Sequence, residues 1–148
     1  MAHAGYLACL FVPQSFTETV ARTLKDLEAI QDKFDSIAFR GLSGSLIAPV
    51  ICHTLKKGMV VVRKDKKDEQ CHSVNLVESE KDDIGRYVIL DDQISTGATL
   101  RTILEKIKGA GLKGDCVGIY THQSWVNKGD VYAYQMATPI PRLGRFQF

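Results

Sequence analysis

The sequence predicts an α/β fold: a single domain, residues 1–148, with a mainly parallel, twisted sheet and flanking helices. Three observations predict it. Short apolar runs alternate with segments of helical periodicity through the centre of the chain, the order that packs helices on both faces of a sheet. Successive runs are joined by helical segments rather than by hairpin turns, as right-handed crossovers between parallel strands require. A chain of 148 residues, 45% of them apolar, is long enough for one substantial core and short for two.

The elements follow in order. The apolar run Tyr6–Val12 is too short to cross a membrane, has no basic segment before it and stops at Pro13, so a strand is expected rather than a signal peptide. Ser15 and Glu18 make a capping-box pattern for a helix reaching about Lys33, with Phe16, Val20, Leu24, Leu27 and Ile30 at helical spacing. Asp35–Arg40 reads as a strand, Gly41–Gly44 as a turn, and Ser45–Lys56 as a second helix with Pro49 in its first turns. Met59–Arg63 is a short buried strand. Lys64–Asp83 is polar and weakly periodic, a long loop with a weak strand around Val74–Val77. Tyr87–Leu90 and Asp115–Thr121 are strands, Ala98–Ala110 is the helix between them, Val131–Ala137 a final strand and Pro139–Phe148 an extended tail.

Charge and cysteine usage narrow the classes of function. With 19 basic against 17 acidic residues the net charge is +2, so no global field argues for nucleic acid or a membrane surface. Cys9, Cys52, Cys71 and Cys116 form no CxxC pair, and His3, His53 and His72 show no metal spacing. A reducing, cytoplasmic setting is expected.

The segment Val88–Leu100, VILDDQISTGATL, carries the chemistry. An apolar strand runs into two adjacent carboxylates, then into the hydroxyl- and glycine-rich turn Ser95–Thr99, and then into a helix. Such a turn offers backbone N–H groups and the positive end of a helix dipole to an anion, while the two carboxylates can accept from a polyol. A capped strand–helix turn would account for one acid and one hydroxyl. It does not account for Asp91 and Asp92 together with Thr96-Gly97-Ala98-Thr99. A ribose 5-phosphate has the matching shape.

Two further segments fall at carboxyl ends of predicted strands, where ligands bind on such sheets. Arg40-Gly41-Leu42-Ser43-Gly44 joins a strand to a helix, and its glycines let backbone approach a ligand. Arg63-Lys64-Asp65-Lys66-Lys67-Asp68-Glu69 opens the long loop. A charge run is usually a solvated face, but Arg-Lys at a strand end also suits polyphosphate: a planar fork beside a mobile point charge.

The Val88–Leu100 segment resembles the phosphoribosyl pyrophosphate (PRPP) signature of the type I phosphoribosyltransferases. The resemblance implies that family's fold with a small hood, and a reaction that transfers the 5-phosphoribosyl group of PRPP to a nucleobase with release of pyrophosphate. It assigns Asp91 and Asp92 to the ribose hydroxyls and Ser95, Thr96, Gly97, Ala98 and Thr99 to the 5-phosphate. Arg40-Gly41 resembles the pyrophosphate loop of the adenine enzymes. Arg63-Lys64, with Lys67 three residues on, is similar to the flexible catalytic loop of the orotate enzymes. Glu69 departs from that pattern, standing where those enzymes have histidine. On this resemblance Lys67, Asp92 and Arg63 are the catalytic residues and Arg40, Gly41 and Lys64 bind substrate. The implied cofactor is Mg2+, held mainly by PRPP and not directly by the protein. The implied partners are PRPP, a nucleobase and a second copy of the chain in a homodimer, without nucleic acid or membrane.

His122 and Trp125 follow the strand Asp115–Thr121, where family members often place base contacts; a lone Trp is more often a packing residue. The hypoxanthine and guanine enzymes usually carry a lysine in that strand, and Val117–Tyr120 has none. The alternative is a non-catalytic regulator of the same fold that senses PRPP or nucleotides; Arg63, Lys64 and Lys67 favour catalysis over it.

Overall fold

The structure, a computed structural model, describes residues 5, 7–64, 76–94 and 97–123, and the backbone of 142–143. It is the α/β architecture expected. The elements are α1 (Pro13–Glu28), β1 (Ser36–Arg40), α2 (Gly41–Ser45), α3 (Ala48–Leu55), β2 (Gly58–Val62), β3 (Val77–Ser79), β4 (Asp83–Asp91), α4 (Ala98–Gly109), β5 (Lys113–Thr121) and β6 (Arg142–Leu143). They form a six-stranded sheet in the order β3-β2-β1-β4-β5-β6. Every pairing is parallel except β2 with β3. The chain leaves β1 to one side for β2 and returns to its other side for β4. That reversal opens a crevice beyond the carboxyl ends of β1 and β4, where α/β sheets bind ligands.

Alternation along the strands divides the core. Ala38, Val60, Val62, Ile89 and Ile119 face Leu100, Ile103 and Ile107 of α4. Ile37, Phe39, Val88, Leu90 and Tyr120 face the other way, onto Leu27 of α1 and Ile51 and Cys52 of α3. The five apolar positions read in the first helix all pack on this second cluster. Burial pushes the Cys52 thiol up to about 12 and the Cys116 thiol up to about 11, so both act as small hydrophobes.

Four expectations are corrected. The expected strand Tyr6–Val12 is not found among its described residues, Leu7–Val12: Ala8–Phe11 is a 3-10 turn, and Leu7 and Leu10, three apart, bury the same side of it. Ser15 and Glu18 do not cap α1. The helix begins at Pro13, whose fixed φ and missing N–H suit a first turn, and its N-cap Val12 makes no side-chain bond. It also ends at Glu28, before a 3-10 turn at Gln31–Lys33. The expected helix Ser45–Lys56 is two: the predicted turn Gly41–Gly44 is itself helical, and α3 starts afresh at Ala48. Pro49 explains the break, because its ring excludes the carbonyl four residues back and it has no N–H to donate. The strands around Tyr87–Leu90 and Asp115–Thr121 are present and longer than read. Val131–Ala137 lies outside the described residues; of the tail, Arg142–Leu143 pairs with Ile119–Tyr120.

The short helix α2 is pressed onto β1. A Cβ on Gly44 would lie 2.6 Å from the Cβ of Phe39, a contact that rotamer changes cannot relieve. Gly44→Ala should therefore destabilise the fold by about 1–3 kcal/mol, the range for overpacking a tight core. Urea denaturation of the variant beside wild type measures it, and equal midpoints would show that α2 can lift away freely.

Candidate functional site

The carboxyl ends of β1, β2 and β4 and the N-terminus of α4 enclose a cavity of about 290 Å³. Arg40, Gly41, Lys64, Asp91, Asp92, Gly97, Ala98 and Thr99 all line it, with Leu42, Ser43, Gln93, Ile94 and Leu100. Three segments far apart in sequence thus meet in one place.

Its floor is the acidic pair. Asp91 is 5% exposed and Asp92 6%. The Ser43 hydroxyl donates to Asp91 Oδ1 at 3.0 Å, and the Asp92 amide donates to the same oxygen at 2.9 Å. Burial and then the adjacent Asp92 carboxyl push Asp91 above the usual carboxylate range; the Asp92 amide and the Ser43 hydroxyl oppose them. Asp92 Oδ2 is buried and has no hydrogen-bond partner among the described residues. The backbone under the pair is fixed by β5, whose His122 and Gln123 amides donate to the carbonyls of Asp91 and Asp92, each at 3.0 Å.

One wall is the start of α4. Gly97 is its N-cap with φ of 77°, a left-handed conformation that favours glycine. Ala98, Thr99 and Leu100 of the first turn line the cavity, so the positive end of the helix dipole faces it. Ser95 and Thr96 lie outside the described residues. The opposite wall carries the cations Arg40 and Lys64. Lys64 passes over Gly41, where an added Cβ would sit in ordinary contact, 3.5 Å from its Cε. Arg40 Nε is buried without a partner among the described residues.

Arg63 does not join them. It is absent from the cavity lining, and its guanidinium lies 2.6 Å from Glu78 Oε1 on β3. Lys67 lies outside the described residues, as do Glu69 and Trp125. Two residues have more to do than the sequence reading gave them. Ser43 was one letter of a glycine turn, and a hydroxyl three residues past a strand was the available signal. Ile94, two residues past the acidic pair and given no role there, is 3% exposed and packs in the core that faces α4. Among the described residues no peptide bond is cis, and no group of three or more His, Cys, Asp or Glu residues could hold a metal ion. Nor is any described helix long and apolar enough to cross a membrane.

Comparison with known proteins adds to this geometry. No family model matches the chain. The chain is 31% identical over 98 residues to the orotate phosphoribosyltransferase of Archaeoglobus fulgidus, a match covering 66% of this chain and 51% of that protein. The match supports the type I phosphoribosyltransferase family. The chain spans about half the length of that curated relative. Its fold is that of solved phosphoribosyltransferases. The orotate phosphoribosyltransferase of Aeropyrum pernix superimposes with a TM-score of 0.71 at 14% identity, over 94% of this chain and 75% of that one. The Saccharomyces cerevisiae adenine phosphoribosyltransferase, solved with adenine and an imino-altritol bisphosphate, gives 0.68 at 22% identity, over 93% and 82%.

The acidic pair has a consequence for stability. A carboxyl whose folded pKa is raised is easier to protonate folded than unfolded, so its contribution is complete below the ordinary carboxylate range and is lost as pH rises through the raised value. Asp91→Asn keeps an oxygen for Ser43 and the Asp92 amide without the buried charge. The ligand-free variant should be more stable than wild type at neutral pH, on the order of 1–3 kcal/mol, with the gain vanishing near pH 4. Thermal melts of both proteins across that range test it, and a pH-independent difference would exclude the account.

Proposed function

We propose that this protein transfers the 5-phosphoribosyl group of PRPP to a nitrogen of a nucleobase and releases pyrophosphate. The observation that carries the reading is a single cavity with a buried carboxylate pair on its floor, a helix N-terminus on one wall and Arg40 with Lys64 on the other. A phosphorylated ribose bearing a pyrophosphate presents the complementary groups in the same order: vicinal hydroxyls, a monophosphate and a diphosphate. The 31% identity to an orotate phosphoribosyltransferase supports an orotate-type base, while the Arg40-Gly41 turn resembles that of the adenine enzymes.

In this reading the bond from C1 to the pyrophosphate oxygen breaks, a bond from C1 to the base nitrogen forms, and the base gives up a proton. Positive charge gathers on the sugar and negative charge on the leaving group, so no protein nucleophile is needed. The residues act by position and charge. Asp91 and Asp92 hold the ribose hydroxyls; the turn Ser95–Thr99 and the start of α4 hold the 5-phosphate; Arg40, Gly41 and Lys64 receive the pyrophosphate. Lys67, from the segment after Lys64, supports the departing charge, and that segment excludes water. Magnesium enters as part of the substrate. Its hard oxygen ligands are phosphate oxygens of PRPP. The chain works as one domain within a homodimer in the cytoplasm.

A second reading is a PRPP-sensing regulator of the same fold, and the pairing of Arg63 with Glu78 favours it, since that cation is directed away from the cavity. Incubation with PRPP, magnesium and a panel of bases, read by pyrophosphate release, separates the two. Tight PRPP binding with no turnover on any base would select the sensor.

The double variant Asp91→Asn with Asp92→Asn should lose turnover by at least about a thousandfold while keeping its circular-dichroism spectrum. Undiminished pyrophosphate release would remove the carboxylates from the mechanism. Lys67→Ala should lower kcat by about ten- to a hundredfold with little change in PRPP affinity measured by calorimetry. An effect confined to affinity would make Lys67 a binding residue only.

A further inference from the structure

Ser43 lines the cavity, yet the reading above gives its side chain no part in holding the ligand. The fold places its hydroxyl with little freedom. Ser43 belongs to α2, which the missing side chain of Gly44 lets press onto Phe39. The Ser45 hydroxyl closes the same helix by donating to the Gly41 carbonyl at 2.7 Å. Ser43 itself is 9% exposed, largely withdrawn from water. From that seat its Oγ lies 3.0 Å from Asp91 Oδ1, 48 residues further along the chain. Among the described residues it is the side chain that donates to the Asp91 carboxyl.

A serine hydroxyl has one proton, and here Asp91 receives it. The Asp92 amide reaches the same oxygen at 2.9 Å. A carboxylate oxygen has about two acceptor positions, so the protein fills Oδ1. Any proton that Asp91 takes up then goes to Oδ2, the oxygen left to accept from a ligand hydroxyl. Burial and then the Asp92 carboxyl push Asp91 up to about 7, and the Ser43 hydroxyl is among the groups that pull it down. Across the cavity stand two cations, Arg40 at the end of β1 and Lys64 beyond β2. The start of α4 adds its dipole and no acidic side chain. On β5, His122 donates its amide to the Asp91 carbonyl, and burial keeps its ring neutral. Arg22 of α1 is bonded to the His122 carbonyl.

We propose that Ser43 is a positioning residue whose hydroxyl saturates Asp91 Oδ1, so that the carboxyl meets the vicinal hydroxyls of the phosphorylated sugar with Oδ2, in one orientation and as an anion. The assignment rests on the PRPP reading of the cavity. It gives α2 two duties within five residues. The helix begins at Gly41, on the wall that receives the pyrophosphate, and two residues later it holds the acceptor of the sugar. Ser43 acts through Asp91 and exchanges no proton with the reacting atoms.

PRPP calorimetry on the intact protein tests the role. Ser43→Ala removes the donor and little volume. It should weaken PRPP binding about tenfold at pH 7, as loss of a hydrogen bond to a charged group does, and at most about threefold at pH 9, where Asp91 is ionised in either protein. Titration of the ligand's own phosphates is common to both proteins and cancels. In an Asp91→Ala background the same change should alter affinity less than about twofold, because the group it acts on is gone. A loss alike at pH 7 and pH 9, or of equal size in both backgrounds, makes Ser43 a packing residue and overturns the proposal. Wild-type affinity in Ser43→Ala overturns it too. Should the Ala variant fail to fold, Ser43→Cys keeps a similar shape with a weaker donor and is read at the same two pH values. A larger loss at pH 7 supports the role, and a loss alike at both overturns it. Wild-type protein that binds no PRPP overturns the cavity reading itself, an outcome distinct from a wild type that binds PRPP and is indifferent to Ser43→Ala.

Discussion

Burying two adjacent carboxylates at the end of β4 is the constraint on which the rest of the site depends. An ionised carboxylate removed from water costs several kcal/mol unless donors replace the solvent. The chain supplies them from rigid elements. The Asp92 amide is turned back onto its neighbour's carboxyl, and the Ser43 hydroxyl reaches the same oxygen from α2. Ser43 arrives there because α2 lies hard against Phe39, which the missing side chain of Gly44 permits. From the other side β5 holds the carbonyls of both aspartates. A core contact, a turn and a strand ladder thus all serve one pair of side chains.

The parallel topology then distributes charge around that pair. Because β1 and β4 are neighbours, the residues ending them, Arg40 and Asp91, open into one crevice with opposite signs. The dipole of α4 adds positive potential on a third side without a further charged side chain. Alternation along a strand also limits what a dibasic pair can do. Consecutive residues at the end of β2 point apart, so Lys64 enters the cavity while Arg63 turns to Glu78 and is stitched by its amide to Leu76. The antiparallel edge strand β3 therefore decides which cation of the pair faces the ligand.

Much of this was readable in the sequence, and the pattern of success is physical. Strands buried on both faces read as apolar runs, so β1, β2, β4 and β5 were found, with ends shifted by the polar residues that extend their ladders. The acidic pair, Gly97 and the two basic turns were found because their chemistry is local: each motif carries its own reason. What the sequence concealed depends on contacts between distant segments. The salt bridge of Arg63 joins residues from different strands, and nothing near Arg63 names Glu78. The same is true of Ser43 with Asp91. The misread helix starts have a different cause. Ser15–Glu18 and Pro13 compete as N-terminal signals two residues apart, and the pre-set backbone of proline prevails over an exposed side-chain cap. Pro49 was noted as a flaw in one helix, whereas it marks the start of another.

The buried pair also links folding to binding. In the free protein burial and the adjacent Asp92 raise the Asp91 pKa, so ionising the pair carries a cost that is set at folding. A ligand that brings hydroxyl donors to that pair relieves a cost already present, and its hydrogen bonds form where water no longer competes. The same reasoning applies across the cavity, where the buried Nε of Arg40 has no partner among the described residues and an anionic oxygen would supply one. A polar cavity with its charges fixed in advance on strand ends favours a ligand that carries both hydroxyls and phosphates over one that carries either alone. Each kind of group satisfies a different wall, and only their covalent connection lets one binding event satisfy both.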